Sequence, residues 1–176
     1  WQGQHLMSTH GCGVVTAPSG QIKDRRPDYR EVTLERPEMY FSANISGYAI
    51  VDTGVSEEVC PGYEDPGPYS GTGGIELNSV FKRMAFALSY LDYNMIGSGA
   101  IDNDSRLVSI RRVEDRAKKL APFLSFDNDP YPVAINGRVL WVIDAYTTSN
   151  RYPYGESGDR NQLSAGSGLD HPFNYV

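Results

Sequence analysis

The sequence predicts an α+β domain, in which a mixed, mainly antiparallel sheet carries one long helix and one shorter helix. Two stretches favour this class: a hairpin signal centred on Asn136-Gly137, and an amphipathic helix signal at 77–96. The many Gly (18), Pro (11) and Tyr (12) residues favour strands, turns and loops over a helical bundle. A chain of 176 residues can bury a core, so we expect one soluble domain at 1–154.

The hairpin is the clearest local signal in the chain. It joins a short apolar strand at 133–135 to a longer strand at 139–148. Asn136-Gly137 between them suits a type I′ turn, because both central residues of that turn need a positive φ. The run at 139–143 is apolar on both faces of a strand, so we expect other elements to cover the hairpin and place it at the centre of the sheet.

The long helix is predicted at 77–96, where apolar residues recur at alternating spacings of four and three. This stripe, which we expect to face the core, consists of Leu77, Phe81, Met84, Leu88, Leu91 and Met95. Gly97 is a typical residue to end the helix. A second helix is predicted at 113–123, with Pro122 near its end.

The remaining segments are shorter strands and loops. Alternating or apolar runs predict a strand-turn-strand unit at 5–15 and strands at 38–43, 48–53 and 106–112. Polar, Pro- and Gly-rich composition predicts long loops at 19–37 and 55–70. We expect a flexible Gly/Ser-rich segment at 155–170 and the start of a truncated strand at 171–176, as in a fragment of a larger protein.

Charge and hydropathy narrow the possible partners. The net charge of −6 and the pI of about 5.0 argue against a general nucleic-acid binder, which normally shows a basic face. The basic cluster at 106–119 is interrupted by Glu114 and Asp115, which favours a solvated helix face over an anion or lipid-headgroup patch. No stretch reaches the roughly 18 uninterrupted apolar residues of a transmembrane helix.

The two cysteines, Cys12 and Cys60, leave two states open. A cytosolic protein would keep both reduced, whereas an exported protein could join them in a disulfide.

Two sets of polar residues are candidate sites. The first consists of two Asp-Asn-Asp triplets, whose carboxylates Asp102, Asp104, Asp127 and Asp129 are oxygen ligands of the kind that calcium prefers. The alternative is that both triplets simply form turns, and neither continues as an EF-hand loop. Calcium is therefore the one cofactor considered, and the favoured expectation is no cofactor.

The second set is aromatic and follows the hairpin. Tyr131, Tyr146, Arg151, Tyr152 and Tyr154 form a candidate binding surface, because tyrosine and arginine are enriched at interfaces. The alternative is that these rings pack against the hairpin itself.

The patterns of known catalytic sites are missing. The Gly71-Thr72-Gly73-Gly74 stretch lacks the lysine of a phosphate-binding loop, and no nucleophile elbow or zinc-ligand spacing occurs. The sequence names no catalytic residue, and an enzyme is the less favoured hypothesis.

An ordered series of motifs along most of the chain resembles Uncharacterised Protein Family 0182. The motifs are Gly73-Gly74-Ile75-x-Leu77, Ala85-Phe86-Ala87-Leu88, Ser98-Gly99-x-Ile101-x-x-Asp104-Ser105-Arg106, Lys119-Leu120-Ala121-Pro122-Phe123-Leu124, Asp129-Pro130-Tyr131-Pro132-Val133 and Trp141-x-x-Asp144-Ala145-Tyr146-Thr147-Thr148-Ser149-x-Arg151-Tyr152-Pro153-Tyr154. Upstream, His5-Leu6-x-x-Thr9-His10-Gly11-x-Gly13-Val14-Val15 resembles the start of the same region.

This resemblance implies a bacterial multi-pass protein of the cell membrane, with this chain as part of its extracytoplasmic region. It implies no activity, cofactor or catalytic residue. The implied oxidising compartment favours a Cys12–Cys60 disulfide and exposes the Asp triplets to more calcium. We therefore expect a non-enzymatic binding or interaction domain, whose partners include the transmembrane region and the remaining extracytoplasmic part of its own chain. The alternatives are a calcium-dependent or enzymatic module and a structural domain that packs on its own membrane region.

Overall fold

The computed structural model describes residues 1–65 and 67–156. In this part of the chain, short strands and three α-helices follow a π-helix at Gly3–Met7. The strands are β1 (Gly11–Cys12), β2 (Val15–Thr16), β3 (Ile22–Lys23), β4 (Arg26–Pro27), β5 (Arg30–Glu31), β6 (Glu38–Met39), β7 (Ala49–Val51), β8 (Ile75–Glu76), β9 (Arg106–Val108), β10 (Ser125–Phe126), β11 (Tyr131–Ile135), β12 (Arg138–Val142) and β13 (Ala145–Tyr146). The helices are α1 (Val80–Tyr90), α2 (Asn94–Gly97) and α3 (Val113–Leu120).

The core lies on a three-stranded antiparallel sheet in the order β7-β9-β8. Ile50 and Ile75 both pair with Leu107 of the middle strand. All three residues of β7 are fully buried, which accounts for its continuous apolar run. The predicted strands at 48–53 and 106–112 are confirmed with shorter bounds. The third strand, β8, was not predicted from the sequence.

The core cluster is assembled from segments far apart in sequence. Leu6 of the π-helix, Leu77 before α1, Met95 of α2 and Ile101 pack with Ile50 and Leu107 of the sheet. The strand predicted at 5–15 is therefore only partly present, because residues 3–7 are helical and pack on β7 through Leu6.

The predicted long helix at 77–96 is two helices in the structure. Ser79 caps the start of α1 by accepting a hydrogen bond from the Phe81 amide. At the other end Leu91 adopts the left-handed conformation (φ 53°), and the Asp92 amide donates back to the Ala87 carbonyl. This is a Schellman arrangement, which ends a helix by satisfying its last carbonyls. No glycine occurs at this position to indicate the break.

The predicted core-facing stripe of this helix is also wrong for its middle part. Leu77 and Met95, at the two ends of the stripe, are fully buried, but Phe81, Met84, Leu88 and Leu91 are exposed. Ala87 is the buried residue of α1. The helix therefore contacts the core along a different line from the one that the apolar spacing predicts.

The hairpin turn is confirmed, but the hairpin is not the centre of a sheet. β11 and β12 pair in register through Ile135 and Arg138, and Asn136 and Gly137 have φ of 51° and 72°. The two strands form a sheet of their own. β12 ends at Val142 instead of continuing to 148. Two residues later the Asp144 carbonyl accepts a hydrogen bond from the Asp127 amide. β13 then pairs with β10.

The architecture is therefore α+β, with mixed helices and small antiparallel sheets. α3 is shorter than the predicted 113–123 and ends before Pro122. The predicted loop at 19–37 contains β3, β4 and β5.

Most of the flexible segment predicted at 155–170, and the strand predicted at 171–176, lie outside the described residues. The single domain at 1–154 stays a prediction. None of the described helices has the length and apolar character needed to span a bilayer.

Candidate functional site

A disulfide joins the start of the chain to the loop after β7. The Sγ atoms of Cys12 and Cys60 lie 2.10 Å apart and their Cα atoms 5.5 Å apart. Cys12 lies in β1, where it pairs with Glu38 of β6, and Cys60 is buried. The bond thus fixes one end of the loop at 55–60 against the N-terminal segment.

The imidazole of His10 lies beside this disulfide. Its Nδ1 is 3.9 Å from Sγ of Cys60, 4.0 Å from Sγ of Cys12 and 3.2 Å from the Gly11 carbonyl oxygen. The ring packs against Tyr40 with 5.2 Å between centroids. The side chain is 1% exposed, and its Nε2 has no hydrogen-bond partner in the described part of the chain.

Glu57 faces that unpaired nitrogen. Its Oε2 lies 3.9 Å from Nε2 of His10 and accepts hydrogen bonds from the Tyr40 hydroxyl, at 2.9 Å, and from the Thr9 hydroxyl. Burial raises the pKa of Tyr40 above its ordinary value, and the Glu57 carboxylate raises it further. The Tyr40 phenol is therefore held in its neutral, donating form.

Arg111 stabilises this arrangement from the protein interior. Its guanidinium donates to the backbone carbonyls of Tyr40, at 3.1 Å, and of Thr9. Burial lowers the pKa of Arg111 from its ordinary value, and the nearby Glu57 carboxylate opposes that shift. Arg111 thus positions the backbone on both sides of Glu57.

These groups open into a cleft of about 260 Å³, which we call the His10 cleft. Its side-chain lining includes His10, Tyr40, Asp52, Glu57, Glu58 and Tyr69. Tyr40 and Tyr69 pack edge to face with 4.9 Å between ring centroids, and burial raises the pKa of Tyr69. The described lining contains four acidic residues and neither Lys nor Arg. Acidic and aromatic walls together favour a cation.

A second unusual surface is the outward side of α1. Five apolar side chains are exposed there in the described part of the chain, and we call them the α1 apolar face. They are Val80, Phe81, Met84, Leu88 and Leu91. Phe81, Leu88 and Leu91 are each more than 70% exposed, at 75%, 73% and 76%. Contiguous exposed apolar side chains of this size commonly mark an interaction surface.

The structure does not bring the two Asp triplets into one site. Oδ1 of Asp102 accepts from the backbone amides of Asp104 and Ser105, and Oδ1 of Asp127 accepts from the amide of Asp129. Both triplets therefore form hydrogen-bonded turns. Among the described residues, the three-ligand cluster found is His10, Cys12 and Cys60, whose sulfurs are bonded to each other. Calcium binding by the triplets stays a prediction.

The predicted tyrosine surface is largely exposed. Tyr131 on β11, Arg151, Tyr152 and Tyr154 are exposed, while Tyr146 on β13 is half-buried. The Tyr146 hydroxyl donates to Oδ2 of Asp127, which raises the pKa of Tyr146. This bond links one candidate set to the other, and the binding role of the tyrosines stays a prediction.

The His10 cleft was not predicted from the sequence. Glu57 and Tyr69 lie in a segment whose Pro, Gly and acidic content indicated only a loop, and Tyr40 was assigned to a short strand. The available signal was the acidic content of 52–65 close to a cysteine, because a disulfide would hold such a loop against the segment that contains His10.

Comparison with known proteins identifies the family of the chain. The sequence model of an uncharacterised protein family, UPF0182, matches residues 1–176. A UPF0182 protein of Clostridium botulinum (strain Hall) is 40% identical over 172 residues, which cover 90% of this chain and 19% of that protein. UPF0182 proteins of Frankia casuarinae and Desulforamulus reducens are 38% and 37% identical, covering 95% and 90% of this chain and 18% and 19% of those proteins.

The chain thus spans about a fifth of the length of the curated relatives it matches. No solved structure matches it. Because the family model covers the whole sequence, the chain belongs to the uncharacterised protein family UPF0182.

Proposed function

We propose that this region is a non-enzymatic, extracytoplasmic interaction domain of an integral membrane protein, and that its α1 apolar face docks on another part of the same protein. The observation that carries the proposal is the exposure of Phe81, Leu88 and Leu91 on one side of α1. Burying a side chain of this type contributes about 1.5–3 kcal/mol. A partner that covers the face therefore gains substantial stabilisation.

The spacing of these residues supports docking over chance exposure. Phe81, Met84 and Leu88 follow one another by three and four residues, which is the pattern of a helix face that packs on a partner, and Leu91 lies just beyond the end of the helix. The helix meets the core through Ala87 and the partly buried Phe86. At 3.6 residues per turn, Phe86 lies about 160° around the helix from Leu88, so the core contact and the exposed apolar residues are centred on different sides of α1.

The rest of the same chain is the partner that we infer. The relatives are about five times longer than the matched region, so most of their chain lies outside it. A partner segment in the same polypeptide binds at a high effective concentration, so a weak intrinsic affinity is enough to keep it associated. This reasoning favours an intramolecular partner over a separate protein.

The disulfide supports the extracytoplasmic location. Structural disulfides persist in oxidising compartments and are rare in the cytosol. Cys60 is buried, and its partner Cys12 lies on a paired strand, so the bond connects ordered parts of the fold.

Photocrosslinking in the full-length protein tests the docking. A benzophenone amino acid replaces Leu88 on the α1 apolar face, and in a matched control it replaces Ser89, which is exposed on the same helix. We expect Leu88 to crosslink to a segment of the same chain outside 1–176, and Ser89 to do so much less. Crosslinks to lipid, to a second copy or to nothing would each contradict the proposed intramolecular partner.

A further inference from the structure

We propose that the His10 cleft binds a small organic ammonium ion, which donates hydrogen bonds to both Nε2 of His10 and the Glu57 carboxylate. This site is separate from the α1 apolar face. It rests on an unpaired buried nitrogen, a carboxylate opposite it and the charge of the surrounding wall.

The hydrogen-bond partner of the His10 ring determines which of its nitrogens carries the proton. Nδ1 lies 3.2 Å from the Gly11 carbonyl oxygen, which only accepts hydrogen bonds, so the proton of a neutral ring belongs on Nδ1. Nε2 then presents a lone pair. This nitrogen is buried and has no partner in the described residues. A buried acceptor without a donor is unfavourable, so Nε2 points to a ligand that carries an N–H group.

The separation between Nε2 of His10 and the Glu57 carboxylate is the second feature that favours an ammonium ligand. Oε2 lies 3.9 Å away, too far for a direct hydrogen bond between the two residues. Thr9 and Tyr40 already donate to Oε2, which uses both lone pairs of that atom and fixes the carboxylate in this position. The second carboxylate oxygen, Oε1, is then the acceptor for a ligand. A primary ammonium has three N–H groups and can donate both to Nε2 and to Oε1.

The charge and the aromatic rings of the cleft wall are the third feature that favours an ammonium ligand. Asp52 and Glu58 add negative charge to that of Glu57, and the rings of Tyr40 and Tyr69 form an aromatic side. Carboxylates and aromatic faces both attract an ammonium group. The neighbouring cation, Arg111, directs its guanidinium to the backbone carbonyls of Thr9 and Tyr40 and is not among the lining residues.

The same geometry disfavours a metal ion. Zinc sites in proteins use three or four protein ligands. The three-ligand cluster found in the described residues includes Cys12 and Cys60, and a disulfide sulfur does not supply a thiolate. Only His10 and Glu57 remain, which is sufficient for an ammonium ion.

Calorimetry on the full-length protein that contains this region tests the proposal. The probes are n-butylammonium chloride, the uncharged n-butanol of similar shape, and zinc chloride. We expect n-butylammonium to bind and n-butanol to give no heat. This comparison uses the wild-type protein alone, so it decides the matter even where a variant fails to fold.

Two variants place the binding in the cleft. Glu57→Gln keeps an acceptor oxygen but removes the charge, and we expect it to weaken n-butylammonium binding at least tenfold. Glu64→Gln makes the same change at an exposed residue of the same loop outside the cleft, and we expect it to bind like the wild type.

Three results would overturn the proposal: no binding of n-butylammonium, binding of zinc alone, or equal weakening by the two variants. Nα-acetyl-lysine methylamide identifies the source of the ammonium. Weaker binding than n-butylammonium supports a free small amine, and tighter binding would overturn that assignment in favour of a protein lysine.

Discussion

The Tyr40 hydroxyl donates a hydrogen bond of 2.9 Å to the Glu57 carboxylate. Tyr40→Phe removes the hydroxyl and leaves the ring packing in place, so the partly buried Glu57 carboxylate loses one hydrogen-bond donor. Because hydrogen bonds to charged groups contribute roughly 1.5–3 kcal/mol, we expect the free energy of unfolding to fall by about that amount. Urea denaturation measures it. Tyr93→Phe is the control, because that ring is exposed. If Tyr93→Phe lowered the free energy of unfolding as much as Tyr40→Phe does, this prediction would be contradicted.

The same phenol makes the free energy of unfolding depend on pH in the alkaline range. Burial raises the pKa of Tyr40 above its ordinary value near 10, and Glu57 adds to this; burial also raises the pKa of Tyr48, helped by Asp92. The folded protein therefore binds these protons more tightly than the unfolded chain. The stabilisation is complete below pH ~10 and is lost as the pH rises above it.

Denaturation curves at several pH values between 8 and 11 check this expectation. The wild type should lose stability above pH ~10, and Tyr40→Phe should lose less, since one of the phenols with a raised pKa is absent. Tyr93→Phe should follow the wild type. An identical pH dependence for all three proteins would show that Tyr40 is not protected in the fold.

Replacing both cysteines should destabilise the fold strongly. The disulfide closes a loop with a sequence separation of 48 residues, and the chain-entropy relation gives about 4 kcal/mol for a loop of this size. We expect the Cys12→Ser plus Cys60→Ser variant to unfold at a correspondingly lower urea concentration. Adding a reductant should destabilise the wild type and leave the variant unchanged. A difference below ~1 kcal/mol would mean that the bond constrains the unfolded chain little.

The hairpin turn offers a test of local conformation. Gly137 has a φ of 72°, and a Cβ atom there would lie 2.8 Å from Cγ of Glu35. Gly137→Ala should therefore cost about 1–2 kcal/mol, the usual penalty for a left-handed residue with a side chain. Gly99→Ala is the matched control, because nothing lies within 4 Å of its Cβ position. Urea denaturation of both variants compares them, and equal stabilities would count against the type I′ turn.

The two sides of α1 should respond differently to charge. Ala87 is 2% exposed and Leu88 is 73% exposed. Ala87→Asp buries an unpaired carboxylate and should cost more than ~3 kcal/mol, whereas Leu88→Asp should change the stability of residues 1–176, produced without the rest of the full-length protein, by no more than about 0.5 kcal/mol. Thermal and urea unfolding of the two single variants measure the contrast. A large loss in Leu88→Asp would place that side chain in the core.

The correct sequence predictions depend on local chemistry. Asn136-Gly137 specifies its turn through φ preferences that act within four residues, so the hairpin was predictable. The run 49–51 is apolar because both of its faces are covered, and this too is visible locally.

The incorrect predictions depend on packing between distant segments. Leu91 ends α1 in a conformation that glycine usually adopts, and no local residue type indicates it. The spacing of Phe81, Met84 and Leu88 shows that one side of the helix is apolar, but it does not show whether that side meets the core or another partner.

The His10 cleft illustrates the same limit for a site. Glu57 is 48 residues from Thr9 and 17 from Tyr40, and only the fold brings their hydroxyls to its carboxylate. Arg111, which supports both segments, lies 102 residues from Thr9. Sequence spacing between residues does not predict contacts between segments that lie this far apart in the chain.

The Cys12–Cys60 bond also determines what a protease cut does to this protein. The enclosed segment contains the exposed basic residues Lys23 and Arg25, which are sites for trypsin. A chain nicked there still migrates as one molecule in a non-reducing gel and separates into two pieces only after reduction. Gel mass under the two conditions therefore reports whether the loop has been cleaved, and an intact band without reductant does not establish an intact backbone.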